Sequence, residues 1–262
     1  MKKLAIIGAS YLQEPIVKKA KEMGIYTICF AWTDGATCAE ICDKFYDISI
    51  IEKERILEIC REEQIDGIAT IASDVAAPTV AYIANKMGLV GNDYEASVRA
   101  NNKYMMRNAF IKAGVPCPKY VMVMENDLPN LDVLDALREI QYPLIVKPSD
   151  RSGSLGVTKV GSHDGLQPAI EKAISVSFSK QAMVEEFIEG WEISVEFISY
   201  NGTHYPLQIT DKVTTEAPHF VELAHHQPST LTKEQYDDVY CITNRALKAL
   251  GITNGASHSE YR

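Results

Sequence analysis

The sequence predicts an α/β protein, and two patterns of the chain support that fold class. In the first hundred residues, short apolar runs at residues 4–7, 26–30 and 68–71 alternate with amphipathic, helix-like segments. From about residue 120 onward, strand-like runs become more frequent, and those at residues 193–200 and 205–210 look antiparallel. Repeated β-α units predict a parallel sheet with helices on both faces. We therefore expect this parallel sheet first and a mixed α and β region after it.

In the first part of the chain, apolar runs alternate with turn residues and helical periodicity. Gly8 ends the first run, and Ser73 is placed to cap a helix N-terminus with its side chain. On the helix at residues 51–63, Ile56, Leu57 and Cys60 share the apolar face. Strands are expected at residues 4–7, 26–30, 45–48 and 68–71, and helices at residues 15–23, 51–63 and 73–87.

After residue 92 the pattern changes, and two helices lead through a Gly-Val-Pro stop into a strand-rich region. Further helices are predicted at residues 94–100, 102–113, 131–140, 164–175 and 233–250. Strands are predicted at residues 120–124, 144–147, 158–160, 183–187, 193–200 and 205–210. A long polar loop is expected before the last helix, and residues 255–262 look like a strand.

Composition excludes several classes of protein. The formal charge of −9 argues against a general nucleic-acid binder, because phosphate backbones reward an excess of Lys and Arg. No apolar run approaches the length of a membrane span. The six cysteines show no zinc-site spacing, and with no secretory signal we expect free thiols in the cytoplasm.

Lys147 ends an apolar strand directly before a Gly/Ser-rich loop, Ser152-Gly153-Ser154-Leu155-Gly156. Strand alternation places Leu144 and Val146 on one face, with Ile145 and Lys147 on the other. A loop of small residues can turn its N–H groups toward phosphate oxygens, and the lysine adds a point charge. The alternative is an ordinary hairpin turn with a snorkelling lysine, and on this segment alone both interpretations stay open.

Two other segments carry weaker signals. Residues 183–192 place carboxylates on either side of a glycine turn, where free backbone groups can meet an adenine edge and a carboxylate a ribose. A solvated acidic turn is the alternative there. Gly8-Ala9-Ser10 follows a strand, but a dinucleotide loop needs more glycines, so a turn at the sheet edge is favoured over NAD binding. The strand-end loops that carry Ser10, Asp34 and Ser73-Asp74 are expected at one edge of the sheet.

The order of these segments resembles that of the ATP-grasp superfamily. Asn102-Lys103-Tyr104-Met105-Met106-Arg107 precedes an Ala-Gly-Val-Pro turn, then come Val146-Lys147-Pro148, the Gly/Ser loop, and residues 185–192. The resemblance covers the whole chain and is to the branch of biotin carboxylase and the carbamoyl phosphate synthase large subunit. It implies a Rossmann-like domain at residues 1–98, a lid with connecting helices at residues 99–185, and a nucleotide-holding part at residues 186–262.

The resemblance also implies roles for particular residues. Lys103 and Lys147 would contact ATP phosphates, and Ser152, Gly153, Ser154 and Gly156 would belong to a mobile loop that covers them. Glu185 and Ile188 would line the adenine, with their backbone groups involved, and Glu192 would hold the ribose. Glu186 would also belong to the nucleotide site. Lys212, next to the loop at residues 220–228, would stabilise charge on a developing acyl phosphate. His225 and His226 receive no role.

The segment Ser257-His258-Ser259-Glu260 resembles the strand that supplies the first carboxylate to Mg²⁺. Relatives supply further ligands from the next strand, so we expect that the chain is a fragment of a longer protein or has lost its metal site. The implied reaction transfers the γ-phosphoryl group of ATP to a carboxylate, which an amine or another nucleophile then attacks.

Three rival interpretations stay beside this reading: a bicarbonate-activating enzyme, a nucleotide-binding module without catalysis, and a nicotinamide-dependent oxidoreductase resting on Gly8-Ala9-Ser10 alone. Small-molecule carboxylate and amine substrates are the expected partners, with no nucleic acid and no membrane. A homodimer is compatible with the sequence.

Overall fold

A computed structural model describes residues 1–133, 137, 139–215 and 221–262. The chain folds into two compact units, Met1–Asn101 with Gly251–Gly255 and Asn102–Leu250 with Ala256–Arg262. The predicted boundaries at residues 98 and 185 stay a prediction. Within the described ranges, every helix is too short or too polar to span a bilayer.

The first unit contains a parallel sheet with the strand order β3-β2-β1-β4. Its strands are Lys3–Ile7 (β1), Tyr26–Ala31 (β2), Lys44–Asp47 (β3) and Gly67–Ala69 (β4). Its helices are Glu14–Glu22 (α1), Lys53–Glu63 (α2), Ala77–Met87 (α3) and Tyr94–Asn101 (α4). Buried aliphatic residues from β1, β2, α2 and α3 form one core on this sheet, and a second cluster lies around Val17 and Cys29.

The predicted β-α order of the first unit is confirmed. Ile56, Leu57 and Cys60 are buried on one face of α2, as the apolar periodicity predicted. One detail was wrong, because Ser73 precedes a short 3₁₀ turn and makes no side-chain capping hydrogen bond. The hydroxyl is one of several groups that can satisfy a first-turn N–H, and the sequence does not show which is used.

The second unit begins with helix α5 (Lys103–Lys112) and contains two further sheets. The second sheet has the order β5-β8-β6-β7, with antiparallel pairs throughout. Its strands are Tyr120–Met124 (β5), Leu144–Pro148 (β6), Thr158–Val160 (β7) and Gln181–Glu186 (β8). Helix α6 (Leu166–Val176) packs its apolar face on β6 and β8 and encloses a core with Val146 and Val184. Residues 134–136 and 138 of the helix predicted at residues 131–140 lie outside the described residues.

The third sheet has the order β11-β10-β9-β12. Its strands are Glu192–Tyr200 (β9), Thr203–Thr214 (β10), Glu222–His226 (β11) and Gly255–Tyr261 (β12), and helix α7 (Lys233–Leu250) follows β11. The predicted polar loop before α7 was wrong over residues 222–226, which pair antiparallel with β10. All five residues of β11 are exposed, so the strand lacks the alternation that would have predicted it.

Candidate functional site

Lys147 and Glu185 form a largely buried ion pair on one face of the second sheet, with side chains 16% and 7% exposed. The residues of β6 alternate in burial, with Leu144 and Val146 against the core and Lys147 on the opposite face. The Lys147 ammonium donates to Oε1 of Glu185 on the neighbouring strand β8. Glu185 is 5% exposed. The predicted facing of Lys147 is confirmed, and its partner is a residue that was expected at the adenine.

Arg107 is a second cation at Glu185. It projects from α5, and its Nη2 lies 3.4 Å from Glu185 Oε2. Its Nε is buried and has no hydrogen-bond partner among the described residues. Arg107 stands in the sequence motif that begins at Asn102, but no role was predicted for it. Its spacing of four residues from Lys103 was a usable signal, because residues i and i+4 share a helix face.

The electrostatic state of Lys147 favours an anionic ligand. Burial lowers the pKa of Lys147 below its ordinary value, and Arg107 acts in the same direction, while the charge of Glu185 opposes both. A buried ammonium whose charged form is disfavoured gains from any additional negative charge brought beside it. The geometry therefore suits a phosphate group better than a neutral ligand.

Lys103 lies at the start of α5, beside the loop that follows β6. Asn102 caps this helix, and its side chain accepts from the Met105 N–H at 3.0 Å. The Lys103 N–H donates to the Ser149 carbonyl at 2.8 Å, and its ammonium donates to the Arg151 carbonyl. Lys103 thus contacts the backbone just beyond the end of β6, the strand that carries Lys147.

The Gly/Ser loop is anchored at both ends and open between them. Residues 152–155 are exposed, whereas Gly156 is buried. Gly153, Ser154 and Gly156 have φ values of 64°, 56° and 77°. At Gly156 a Cβ atom would lie 2.6 Å from Val176 Cγ2, so only glycine fits the close approach. Small exposed residues can present N–H groups to an anion without steric hindrance.

Residues 186–192, where β8 leads into β9, are called the hinge here. Several of them have hydrogen-bond partners within the protein. The Glu186 carboxylate accepts from the Lys119 N–H at 2.9 Å, and the Glu186 N–H donates to the Lys119 carbonyl at 3.0 Å. Ile188 is 38% exposed. The Glu192 carboxylate accepts from the Arg262 guanidinium. Of the residues expected at the nucleotide, Ile188 presents an open apolar surface. The carboxylates of Glu186 and Glu192 already accept hydrogen bonds from protein groups.

Phe187 is covered by two cations. The Lys159 ammonium lies 3.6 Å from the centroid of its ring, and the Arg262 guanidinium carbon lies 4.9 Å from the same centroid. Such contacts are favourable because the ring face carries negative charge density. The hinge that joins β8 to β9 is therefore held by contacts to β7 and to the end of β12.

Lys212 is a buried cation of the third sheet. Its side chain is 4% exposed, and its Nζ lies 2.7 Å from Glu222 Oε1 on β11 and contacts Glu260 on β12. Burial alone would lower the pKa of Lys212, but the two carboxylates raise it above its ordinary value. Lys212 is therefore a stably charged ammonium. Glu222 was missed because its segment was read as a loop.

Glu260 is held in its ionised form. The nearby His258 imidazole, together with Lys212, outweighs burial and lowers the pKa of Glu260 to about 2. His258 Nδ1 lies 3.0 Å from Glu196 Oε1, so the imidazole stands between two carboxylates. Among the described residues, no group of three or more His, Cys, Asp or Glu is arranged to hold a metal ion.

The lysines of the two sheets belong to one electrostatic environment. Burial, Glu185 and Arg107 have the largest effects on the pKa of Lys147, and the charge of Glu260 also raises it. The second unit thus brings together Lys147, Glu185, Lys212 and Glu260. His225, 51% exposed in its side chain, lies 3.3 Å from Glu222, and residue 220 lies outside the described residues.

The loop after β1 in the first unit has a structural explanation. Gly8 has a φ of 103°, and a Cβ atom there would lie 2.9 Å from the Gln13 side chain. Gln13 in turn donates to the Ile71 carbonyl at 2.7 Å and so links the loops after β1 and β4. Gly8 makes room for a glutamine that joins two loops, in agreement with the turn interpretation.

The comparisons with known proteins agree with this fold. Residues 140–262 match the model of a family described as an ATP-grasp domain. The chain is 30% identical over 231 residues to the alanine–anticapsin ligase of Bacillus subtilis (strain 168), in an alignment that covers 80% of this chain and 48% of that protein. The chain thus spans about half the length of this curated relative.

Two solved structures have the same fold. An L-amino acid ligase from Bacillus licheniformis has a TM-score of 0.82 at 24% identity, covering 100% of this chain and 63% of that one. The biotin carboxylase domain dimer of the Hydrogenobacter thermophilus 2-oxoglutarate carboxylase, solved with MgADP, ADP and bicarbonate, has a TM-score of 0.82 at 20% identity. That match covers 99% of this chain and 60% of the other. The α/β fold class predicted from the sequence is confirmed.

Proposed function

Because this chain belongs to the ATP-grasp superfamily, we propose that it takes part in the ATP-dependent activation of a carboxylate as an acyl phosphate. An amine or a similar nucleophile then attacks the acyl phosphate and forms the ligated product. The observation that carries this proposal is the position of Lys147, a largely buried ammonium of lowered pKa next to a loop of small, exposed residues.

In the proposed complex, Lys103 and Lys147 contact the phosphates and the exposed residues Ser152, Gly153 and Ser154 cover them. Gly156 closes the loop against α6. Both lysines now contact protein groups, so nucleotide binding exchanges those contacts for phosphate contacts. Such charge-assisted contacts are among the stronger polar interactions in proteins.

The base and the sugar are assigned to the hinge. Ile188 supplies an open apolar surface for adenine, and the backbone at Glu185 and Glu186 borders it. Glu192 is proposed for the ribose, which requires that the carboxylate share or release Arg262.

Lys212 and Glu260 are proposed for the reacting end. Lys212 keeps its positive charge and stabilises negative charge that develops during phosphoryl transfer. Glu260 is ionised and fits one ligand position of Mg²⁺, whose remaining positions suit phosphate oxygens and water. Mg²⁺ supplies neutralisation of the phosphate charge when it is bound. ATP with Mg²⁺ is thus the proposed nucleotide.

The substrates are proposed as a small carboxylate and a small amine, and the cytoplasm as the location. The ligase relative named above supports an amino-acid substrate. The bicarbonate named with the carboxylase domain keeps a bicarbonate-activating reaction as the second candidate. A homodimer is likewise a proposal, suggested by the dimeric carboxylase domain.

Calorimetric titration of ATP, adenosine and NADH into the chain tests the nucleotide assignment. We expect ATP to bind more tightly than NADH. Lys147→Ala should weaken ATP by about tenfold to a hundredfold, or 1.4 to 2.8 kcal/mol, and adenosine much less. Lys233→Ala is the matched control, because this lysine is 91% exposed in its side chain. Tighter binding of NADH, or equal losses for ATP and adenosine, would contradict the assignment.

ADP release then tests the reaction. Amino acids, hydroxy acids and bicarbonate are offered in turn with ATP and Mg²⁺. Stimulation by an amino acid supports the ligase, and stimulation by bicarbonate alone supports the second candidate. ATP binding without stimulated ADP release by any of these compounds would indicate a binding module.

A further inference from the structure

Glu185 is shared by two cations through separate oxygens. Lys147 from β6 contacts Oε1, and Arg107 from α5 lies 3.4 Å from Oε2. One cation can therefore leave without breaking the contact of the other. With 5% of its surface exposed, the carboxylate has little water to replace a lost partner.

The Arg107 guanidinium has hydrogen-bonding capacity in reserve. Within the part of the chain that the structure describes, its Nε is buried and has no hydrogen-bond partner, although its Nη2 already contacts Glu185. The guanidinium is a rigid fork that matches a carboxylate through two parallel N–H groups. A small shift of this fork would present a second N–H to the same carboxylate.

Lys147 has two roles in the proposed function. It neutralises Glu185 in the free protein, and in the proposed complex it reaches a phosphate of ATP. Removing one partner of a buried ion pair is strongly unfavourable, because it leaves an uncompensated charge. The nucleotide can recruit Lys147 at small cost only if another cation keeps Glu185 paired.

We propose that Arg107 is a positioning residue that retains Glu185 when Lys147 turns to the nucleotide phosphates. This inference rests on the proposed function, since it assumes that Lys147 binds phosphate. Arg107 itself touches no phosphate in this scheme. It acts through Glu185 and so determines how freely Lys147 can move.

The position of Arg107 on α5 is consistent with its role in retaining Glu185. Lys103 and Arg107 are four residues apart and lie on one helix face. Lys103 contacts the strand-end loop at Arg151, while Arg107 contacts the strand face at Glu185. One helix therefore carries the lysine proposed for phosphate and the arginine that frees the second lysine.

A double-mutant cycle tests the proposal. Binding of ATP and of adenosine is measured for wild type, Arg107→Met, Glu185→Gln and the double variant. In Arg107→Met, Lys147 stays with Glu185, so we expect ATP affinity to fall by about tenfold or more while adenosine affinity changes less. Removing the carboxylate charge in the double variant should return ATP affinity to within about threefold of Glu185→Gln.

A merely structural ion pair would behave differently. If Arg107 only held the fold, its loss would weaken ATP and adenosine alike, and neutralising Glu185 would not restore ATP binding selectively. Either result overturns the proposal. Arg55→Met, at an exposed arginine paired with Glu52, serves as the control for loss of a positive charge.

The cycle remains a test of the proposal even when the single variant Arg107→Met does not fold. Neither Glu185→Gln nor the double variant has a carboxylate at position 185 that could be left buried and unpaired. There we expect Arg107→Met to change ATP affinity by less than about threefold, and a tenfold loss would show that Arg107 acts other than through Glu185. Failure of the wild type to bind ATP would instead contradict the proposed function.

Discussion

Asp150 shows how single residues prepare the candidate site. Its carboxylate accepts from the Ser177 hydroxyl at 3.0 Å, the Phe178 N–H at 3.2 Å, and the Ser179 N–H and hydroxyl, both at 2.7 Å. These contacts fasten Asp150, two residues before the Gly/Ser loop, to the segment that directly follows α6. Burial alone would raise the pKa of Asp150, but the hydrogen bonds lower it below its ordinary value.

The lowered pKa of Asp150 predicts a pH-dependent contribution to stability. A carboxylate whose pKa is lower in the folded state stabilises the fold above its unfolded pKa, about 3.9, and this contribution is lost as the pH falls through the folded value. Asp150→Asn should therefore be less stable than wild type at pH 7, by an amount that shrinks below about pH 4. Denaturant unfolding at pH 7 and pH 3 measures this, with Asp164→Asn at an exposed carboxylate as control. A difference independent of pH would contradict it.

At the scale of elements, the Gly/Ser loop combines open positions with one closed position. Gly153 and Gly156 both have positive φ values, of 64° and 77°. At Gly153 a Cβ atom would meet nothing within 4 Å, whereas at Gly156 it would lie 2.6 Å from Val176 Cγ2 and 3.3 Å from Pro148 Cδ. Backbone strain is thus similar at the two positions, and steric conflict is confined to one.

This contrast predicts different effects of the same substitution. Gly153→Ala should cost about 1 kcal/mol in free energy of unfolding, from the left-handed backbone alone. Gly156→Ala should cost about 2 to 4 kcal/mol, because strain is joined by overpacking against α6. Urea unfolding of both variants provides the measurement. Equal losses would mean that the loop moves aside freely and that the closure against α6 is loose.

At the scale of the whole molecule, the chain leaves the first unit and returns to it as Gly251–Gly255. Asn92 holds the returning segment. Its Oδ1 accepts from the Thr253 N–H at 2.8 Å and the Asn254 N–H at 2.9 Å, and its Nδ2 donates to the Asn254 carbonyl at 2.8 Å. One side chain therefore joins two stretches of the first unit that are far apart in sequence.

Asn92→Ala should lower the free energy of unfolding by about 2 to 3 kcal/mol, since the three shorter hydrogen bonds of its side chain contribute about 1 kcal/mol each. Asn92→Asp keeps the acceptor for both N–H groups and loses only the donor, so its loss should be smaller. Thermal and denaturant unfolding followed by circular dichroism would rank the variants. Equal losses for the two would show that the acceptor contacts contribute little.

The sequence by itself determined the order and type of most elements, because apolar periodicity and turn residues act over a few positions. It determined that Lys147 lies on the face opposite Leu144 and Val146, since strand alternation has a fixed period of two. It also placed a loop of small residues directly after that strand. The exposed strand β11 was missed because it has no apolar face to produce a pattern.

The tertiary structure alone decided which charged groups meet. Glu185 lies 38 residues from Lys147 and 78 from Arg107, and their contacts depend on the strand order β5-β8-β6-β7 and on where α5 packs. Likewise, Lys212 meets Glu222 and Glu260 because β10 pairs with β11 and β12 lies beside β9. Local periodicity sets the face on which a side chain lies, whereas its partner is set by strand neighbours that only the folded chain brings together.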